Sequence, residues 1–325
     1  MQSVECRICL CLTRVCYARM MESLPQRALR KLREWQFNRA ARAVLATPPL
    51  RAADDGLVIF SMIGTRVLYP YLVSAKSFHV QLGRGRFAVL DDGTLTAEDK
   101  AVLAHHLDSP QIFSIADVDL GDCPKGGCWE RLLTLLQLRT SDYVIQLDSD
   151  TVTLGPVPEV ADAIAAGRNF TLKGDATSQW QQARVFGRDL AEVPQDAHVQ
   201  ARIEAAMDRI DAGLPKPVHY VRGCAGFAGF AAGGLDRKAA DMFSREARAL
   251  LGDAKWAEWG SEQVMSNVIV SNEGEPLLLP YDRYMNYWRE PDLGQASLVH
   301  FLGTCRYDRG MYLKATRQAI AELQH

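Results

Sequence analysis

The chain has 325 residues, 48% of them hydrophobic and 23% charged, with a formal net charge of −2. That is an ordinary globular composition, long enough for one large core or two smaller ones. It carries no global nucleic-acid signature, no apolar run approaches the ~20 residues needed to span a bilayer, and eight cysteines in such a length do not make a disulfide scaffold, so a reducing, cytoplasmic setting is expected.

Cys6, Cys9, Cys11 and Cys16 crowd the start of the chain at spacings that match no zinc pattern, and no His pair follows. Glu5, Arg7 and Arg14 interrupt what would be the apolar core of a secretory signal. Residues 1–22 are therefore expected to be a disordered, non-structural segment; translation starting at Met20 or Met21 would remove all four cysteines. Residues 23–48 read as a basic helix. Ser23 can cap it, Pro25 sits in its first turn, and Leu24, Ala28, Leu32 and Trp35 follow helical spacing. Arg27, Arg30, Lys31, Arg33, Arg39 and Arg42 make it strongly cationic. The favoured reading docks it on the main domain with solvated arginines. The alternative is peripheral contact with an anionic membrane. Thr47-Pro48-Pro49 then breaks the chain.

Gly56 to Ser61 reads as a first buried strand, followed by the loop Ser61–Thr65 and a helical pattern from Tyr69 to Phe78. No G-x-G-x-x-G stands there, which argues against a dinucleotide site. Gly83 to Arg86 is a turn, and Arg86 to Leu90 is a second strand ending in Asp91-Asp92-Gly93. Thr96 to Asp99 has the form of a capping box opening a helix toward Leu107. Asp91 and Asp92 either bind a base or sugar or only form the turn before that cap. Gln111 to Ile115 is a third strand, and Cys128 to Leu138 is a helix with a strong apolar face. Strands alternating with helices imply a mostly parallel, three-layer α/β sheet.

The run Tyr143–Leu147 ends in Asp148-Ser149-Asp150. In an extended chain residues i and i+2 point to the same side, at the strand end where open α/β sheets bind ligands. Two carboxylates on one face repel unless a cation or donors neutralise them. A divalent ion carrying a diphosphate answers that cost: Mg²⁺ is commonly held by one or two carboxylates plus phosphate oxygens, and Mn²⁺ also suits oxygen ligands. The plain alternative is a surface turn with capping Asp residues.

Phe170 to Asp175 reads as a short strand and loop, and residues 180–217 as a helical insertion. Val221 to Phe230 is rich in Gly and Ala, so backbone amides can approach a ligand closely, unless it is a tightly packed strand turn. Ser261 suits an N-cap, which places Glu262 and Gln263 in the first turn of an apolar helix. Leu277–Pro280 and Ser297–Leu302 are late strands. His300, followed by Gly303 and Arg306, is either a structural histidine or a metal ligand beside a phosphate-binding arginine.

In this order the segments resemble a GT-A nucleotide-sugar glycosyltransferase, most similar to the family 8, galactosyltransferase/glycogenin-like group. The likeness spans about Gly56 to Arg309, within a domain expected at 54–318. It implies a Rossmann-like αβα sandwich with a mostly parallel mixed sheet. It also implies a nucleotide-sugar donor, UDP-sugar by preference, a glycan, lipid or small-molecule acceptor, and retention at the anomeric carbon. It implies Asp148, Asp150 and His300 as ligands of Mn²⁺ or Mg²⁺, and Arg306 where the family has a phosphate-binding Lys; Arg keeps the charge but not the geometry. Ser61, Arg131, Gly303 and Cys224-Ala225-Gly226 would line the donor, the last in place of Asn-Ala-Gly and without its amide. Glu262 would meet sugar hydroxyls, and Gln263 would sit near the anomeric carbon.

Three rivals remain. Asp148 to Val152 also fits D-x-D-x-V, the pattern of haloacid-dehalogenase-type phosphatases, in which Asp148 would be a nucleophile; that fold normally opens with this strand and later needs a Lys and a further Asp cluster. A nucleotidyltransferase wants a Gly-rich, basic loop after the first strand, which Ser61–Thr65 lacks. A non-catalytic GT-A-like binding protein is the third.

Overall fold

The computed structural model describes residues 24–186 and 192–324. The four early cysteines, Met20, Met21, the Ser23 cap and the whole of the expected disordered segment lie outside the described residues. The basic helix α1 (Leu24–Ala41) opens the fold. It is followed by β1 (Leu57–Ile63), α2 (Leu68–Leu82), β2 (Arg86–Asp91), α3 (Ala97–His106), β3 (Gln111–Ser114), α4 (Trp129–Leu138) and β4 (Tyr143–Leu147). Then come β5 (Thr151–Thr153), α5 (Pro158–Ala165), β6 (Phe170–Lys173), β7 (Gln181–Gln182), α6 (Val199–Ala205), β8 (His219–Tyr220) and β9 (Gly223–Phe230). The chain closes with α7 (Arg237–Leu251), α8 (Asp253–Trp256), α9 (Ser261–Ser271), β10 (Leu277–Leu278), β11 (Tyr284–Asn286), β12 (Leu298–His300) and α10 (Met311–Glu322).

The main sheet has seven strands in the order β10-β6-β9-β4-β1-β2-β3. Only β9 runs antiparallel to its neighbours, β4 and β6; the remaining pairs are parallel. The expected α/β architecture with a mostly parallel mixed sheet is therefore the one this chain forms. The central strands β1 and β4 are apolar apart from Ser61 and Gln146 because both faces are covered. Leu57, Ile59, Tyr143 and Ile145 join the core under α2, while Val58, Phe60 and Val144 join the core under α4, α7 and α9. Thr96 caps α3 in the expected box with Asp99.

Among the described residues, the 180–217 segment is helical over α6 and short 3₁₀ turns, and β7 at its start pairs with β8 just beyond its end. A second, three-stranded sheet, β11-β12-β5, was not anticipated. Its strands have only three residues each, too short to carry a period. The inner face of α1 docks on the domain: Phe37 is buried and stacks on Tyr312 of α10 at 3.9 Å, and Arg33 pairs with Asp308 at 3.3 Å.

Candidate cation and diphosphate site

Asp148 and Asp150 do not extend β4. Residues 148–150 form a turn between β4 and β5, so the shared face expected from an extended chain is instead made by that turn. Its backbone is held from four sides. The Asp148 N–H donates to the Gly226 carbonyl of β9 (2.9 Å), and the Phe301 N–H donates to the Asp150 carbonyl (2.8 Å). The Ser74 hydroxyl of α2 and the Thr151 hydroxyl each donate to the Asp148 carbonyl (3.0 Å). The Tyr312 hydroxyl donates to the Ser149 carbonyl (3.4 Å). β12 lies antiparallel on β5 with His300 opposite Thr151, which delivers the imidazole to the turn.

One ligand atom each from Asp148, Asp150 and His300 falls within 4.8 Å of the others. His300 Nε2 is 3.2 Å from Asp150 Oδ1 and 4.0 Å from Asp148 Oδ2. Asn286 sets which nitrogen faces the carboxylates. Its amide NH₂ donates to the carbonyls of Lys173 (2.8 Å) and Gly174 (3.2 Å), leaving its Oδ1 to accept from His300 Nδ1 (3.0 Å). Nδ1 therefore carries the hydrogen and Nε2 points into the cluster. Cys224 Sγ also lies 3.3 Å from Nδ1. Beneath the ring, a β-carbon on Gly226 would stand 2.3 Å from His300 Cε1, so only glycine admits the imidazole in this position. Burial opposes charge on His300, but Cys224 and Asp150 beside it outweigh that and raise its pKa well above the usual histidine value.

Two arginines flank the turn. Arg131 of α4 binds Asp148 Oδ1 through Nη1, and its Nη2 lies 3.3 Å from both oxygens of Glu262. Arg306 binds Asp150 through Nη2 while its Nε donates to the Phe301 carbonyl (3.0 Å). Burial pushes the Asp148 pKa up, and Asp150 adds to this against Arg131. Glu262 rises to about 7, again by burial, with Arg131 opposing. Asp150 goes the other way: burial would raise it, yet Arg306 and His300 together hold it well below the usual carboxylate range. The Arg131 pKa is itself raised by Asp148 and Glu262, which outweigh its burial. These directions agree once one guanidinium is seen to serve two carboxylates and to neutralise neither fully.

The residues fit a hard divalent cation. Two carboxylates and an oriented imidazole are the oxygen and nitrogen donors that Mg²⁺ and Mn²⁺ accept, and a buried partner fixing the far ring nitrogen is the usual support of a metal-bound histidine. Three carboxylates (Asp148, Asp150, Glu262) face two guanidiniums (Arg131, Arg306), an imbalance of one negative charge before His300 is counted. Arg131 Nε is buried and has no hydrogen-bond partner among the described residues.

The other residues singled out from sequence lie at different distances from this cluster. Cys224, Ala225 and Gly226 are consecutive in β9 and back it: Cys224 and Gly226 touch His300, and the Ala225 carbonyl accepts from Gln146. Gln263 follows Glu262 in the first turn of α9 and reaches Gln200 of α6 at 3.4 Å. Ser61 is buried inside the sheet, its hydroxyl donating to the Leu147 carbonyl (2.6 Å). Gly303 is exposed at φ +57° in the bend leading to Arg306. Ser261 is not the N-cap of α9; Gly260, at φ +103°, holds that place, and the Ser261 hydroxyl accepts from Trp129 Nε1 (2.8 Å). Asp91 and Asp92 make the turn before α3: Asp91 accepts from the Gly93 and Leu95 N–H groups, and Asp92 from Thr94. Asn286 was missed. Its only trace in the sequence is a polar residue ending a short apolar stretch, which no spacing rule singles out.

No family model matches the chain, and no curated protein does. Solved structures similar to it include the bifunctional glycosyltransferase WbbM, at 14% identity and TM-score 0.46 over 85% of this chain and 53% of that one. The galactosyltransferase LgtC, in complex with donor and acceptor sugar analogs, is 13% identical with TM-score 0.45 over 81% of this chain and 95% of that one. Mouse xyloside xylosyltransferase 1 is 11% identical with TM-score 0.42 over 77% and 98%. The chain thus spans about half the length of WbbM. Likeness at this level decides neither chemistry nor substrate.

Proposed function

We propose that the protein is a GT-A-type glycosyltransferase that moves a sugar from a nucleoside-diphosphate donor to an acceptor hydroxyl with the help of Mn²⁺ or Mg²⁺. The observation that carries this reading is the convergence of Asp148, Asp150 and His300 between two arginines. When bound, the cation supplies Lewis-acid stabilisation of charge growing on the departing diphosphate. Asp148, Asp150 and His300 Nε2 are the groups that would hold it. Arg306 keeps Asp150 ionised, and its guanidinium lies beside the donor phosphates. Arg131 supports Asp148 and, through Nη2, Glu262, and adds positive charge to the same site. Glu262 accepts hydroxyls of the transferring sugar, with Gln263 at the anomeric side.

Retention is the reading taken from the resemblance. The acceptor is a glycan, lipid or small molecule, and UDP is the nucleotide preferred by resemblance. The phosphatase alternative is weaker, since no lysine contacts Asp148 or Asp150 among the described residues.

Thermal stabilisation by UDP, GDP and a phosphate analogue, each with and without Mn²⁺, tests this reading. A Mn²⁺-dependent shift with one nucleoside diphosphate is expected. Stabilisation by the phosphate analogue alone would favour the phosphatase. In Asp150→Asn the shift should vanish and turnover of the matching donor should fall by about 10³ or more, as several kcal/mol of charge stabilisation is removed; unchanged turnover would refute the cation assignment.

A further inference from the structure

The outward face of α1 serves nothing described so far. Leu29 (47% exposed), Leu32 (49%) and Trp35 (57%) stand three residues apart on it, and together they are half of the six exposed large hydrophobic residues among the described ones. Spacing of three lines them into one stripe. The opposite face is already used, with Phe37 and Ala41 buried against the domain. Around the stripe stand Arg27, Lys31 and Arg39, all exposed. The Arg39 guanidinium lies over the Trp35 ring at 5.7 Å. Arg317 of α10 joins Trp35 and Arg39 along the groove between the two helices. Glu34 is the single acidic residue of α1.

We propose that this face of α1 docks in the plane of an anionic lipid membrane. Exposed Trp and Leu side chains favour the headgroup–acyl boundary, and arginines and lysine at their flanks are attracted to anionic headgroups. Eighteen helical residues extend about 27 Å, enough to lie along the surface. No helix of the described residues is long and apolar enough to cross a membrane, so contact through α1 is interfacial. A nucleic acid would engage the cations but leave the leucines without a partner, and an acidic protein surface would do the same. The membrane alone answers both halves of the stripe. This inference goes beyond the transferase reading and does not depend on it.

The test is co-sedimentation of the full chain with phosphatidylcholine–phosphatidylglycerol vesicles, against pure phosphatidylcholine vesicles, at low and high salt. It needs neither donor nor cation, so its outcome is independent of whether the protein transfers sugar. The wild type should bind the anionic vesicles, and salt should weaken the binding. Neutralising Arg27, Lys31 and Arg39 together (Arg27→Ser, Lys31→Ser, Arg39→Ser) should weaken partitioning about a hundredfold, at about fivefold per charge. Leu32→Ser with Trp35→Ser should weaken it about tenfold or more through lost apolar contact. Because these side chains are exposed, the melting temperature should not change in either variant. If the triple variant does melt early, the Leu32/Trp35 pair still decides. Equal binding to both vesicle types, unchanged binding in the Leu32/Trp35 variant, or tighter binding to a duplex oligonucleotide than to anionic vesicles would each overturn the proposal.

Discussion

Asp148 and Asp150 stand two residues apart in one turn, yet their surroundings differ sharply. Asp150 has a guanidinium of its own, Arg306, and the His300 imidazole 3.2 Å away, and it is held firmly ionised. Asp148 shares its guanidinium, Arg131, with the buried Glu262, and its pKa is pushed up. Asp148 is also the more exposed, with 29% of its side chain accessible against 11% for Asp150. One arm of the site is electrostatically closed and the other is left short of positive charge. A cation arriving between them adds most on the Asp148 side. On the proposed reading that difference would give the two carboxylates distinct parts: Asp150 would be a preformed anchor, and Asp148 would become well satisfied only with the ion bound.

The largest effect should come from unbalancing the weaker arm. Arg131→Met leaves the buried Glu262 without a counter-charge and Asp148 with only the more distant His300 (4.0 Å), and denaturant unfolding should show a loss of about 3–5 kcal/mol. Arg306→Met should cost less, ~1–3 kcal/mol, because His300 remains beside Asp150 and Arg306 is partly exposed. Mn²⁺ should restore more stability to the Arg131 variant than to the Arg306 variant. Equal losses and equal rescue would erase the distinction between the arms. A middle-sized effect is expected at Gly226→Ala, where the added methyl group must displace the His300 ring. Overpacking of this kind costs about 1–3 kcal/mol, and Mn²⁺ titration should show weaker binding as well; unaltered affinity would mean that His300 is not a ligand. The smallest should be Asn286→Ala. Freeing the imidazole from its orienting partner should lower Mn²⁺ affinity by about tenfold to a hundredfold, read by calorimetric titration, and wild-type affinity there would remove Asn286 from the site.

The strands β1, β2 and β4 were legible because a strand covered on both faces is a mostly apolar run, whereas β3 is a four-residue, partly exposed edge strand. The cluster of Asp148, Asp150 and His300 was legible only in part. Asp148 and Asp150 announce themselves by spacing, whereas the extended geometry inferred for them gave way to a turn that β5, β9 and β12 jointly hold. His300 was visible as a candidate, but its approach depends on three-residue strands whose pairing is entirely tertiary. The cap of α9 was misplaced for a related reason: Ser261 has a capping side chain, but the left-handed backbone at Gly260 makes the entry and leaves that hydroxyl to Trp129. For α7 the signal was present and went unread. Asp236 accepts from the Ala239 N–H as an N-cap, and Ala239, Ala240, Phe243 and Ala247 repeat on its buried side.

The stack of Phe37 on Tyr312 bears on where this protein can be shortened. Tyr312 touches the carbonyl of Ser149, Phe37 also lies 5.5 Å from Tyr307, and Arg33 holds Asp308, two residues beyond Arg306. A chain trimmed to begin at β1 would retain every member of the acidic cluster but lose Phe37 and Arg33, which brace Tyr312, Tyr307 and Asp308 beside its Arg306 arm. The boundary marked by Thr47-Pro48-Pro49 is thus a break in secondary structure and not a safe place to cut.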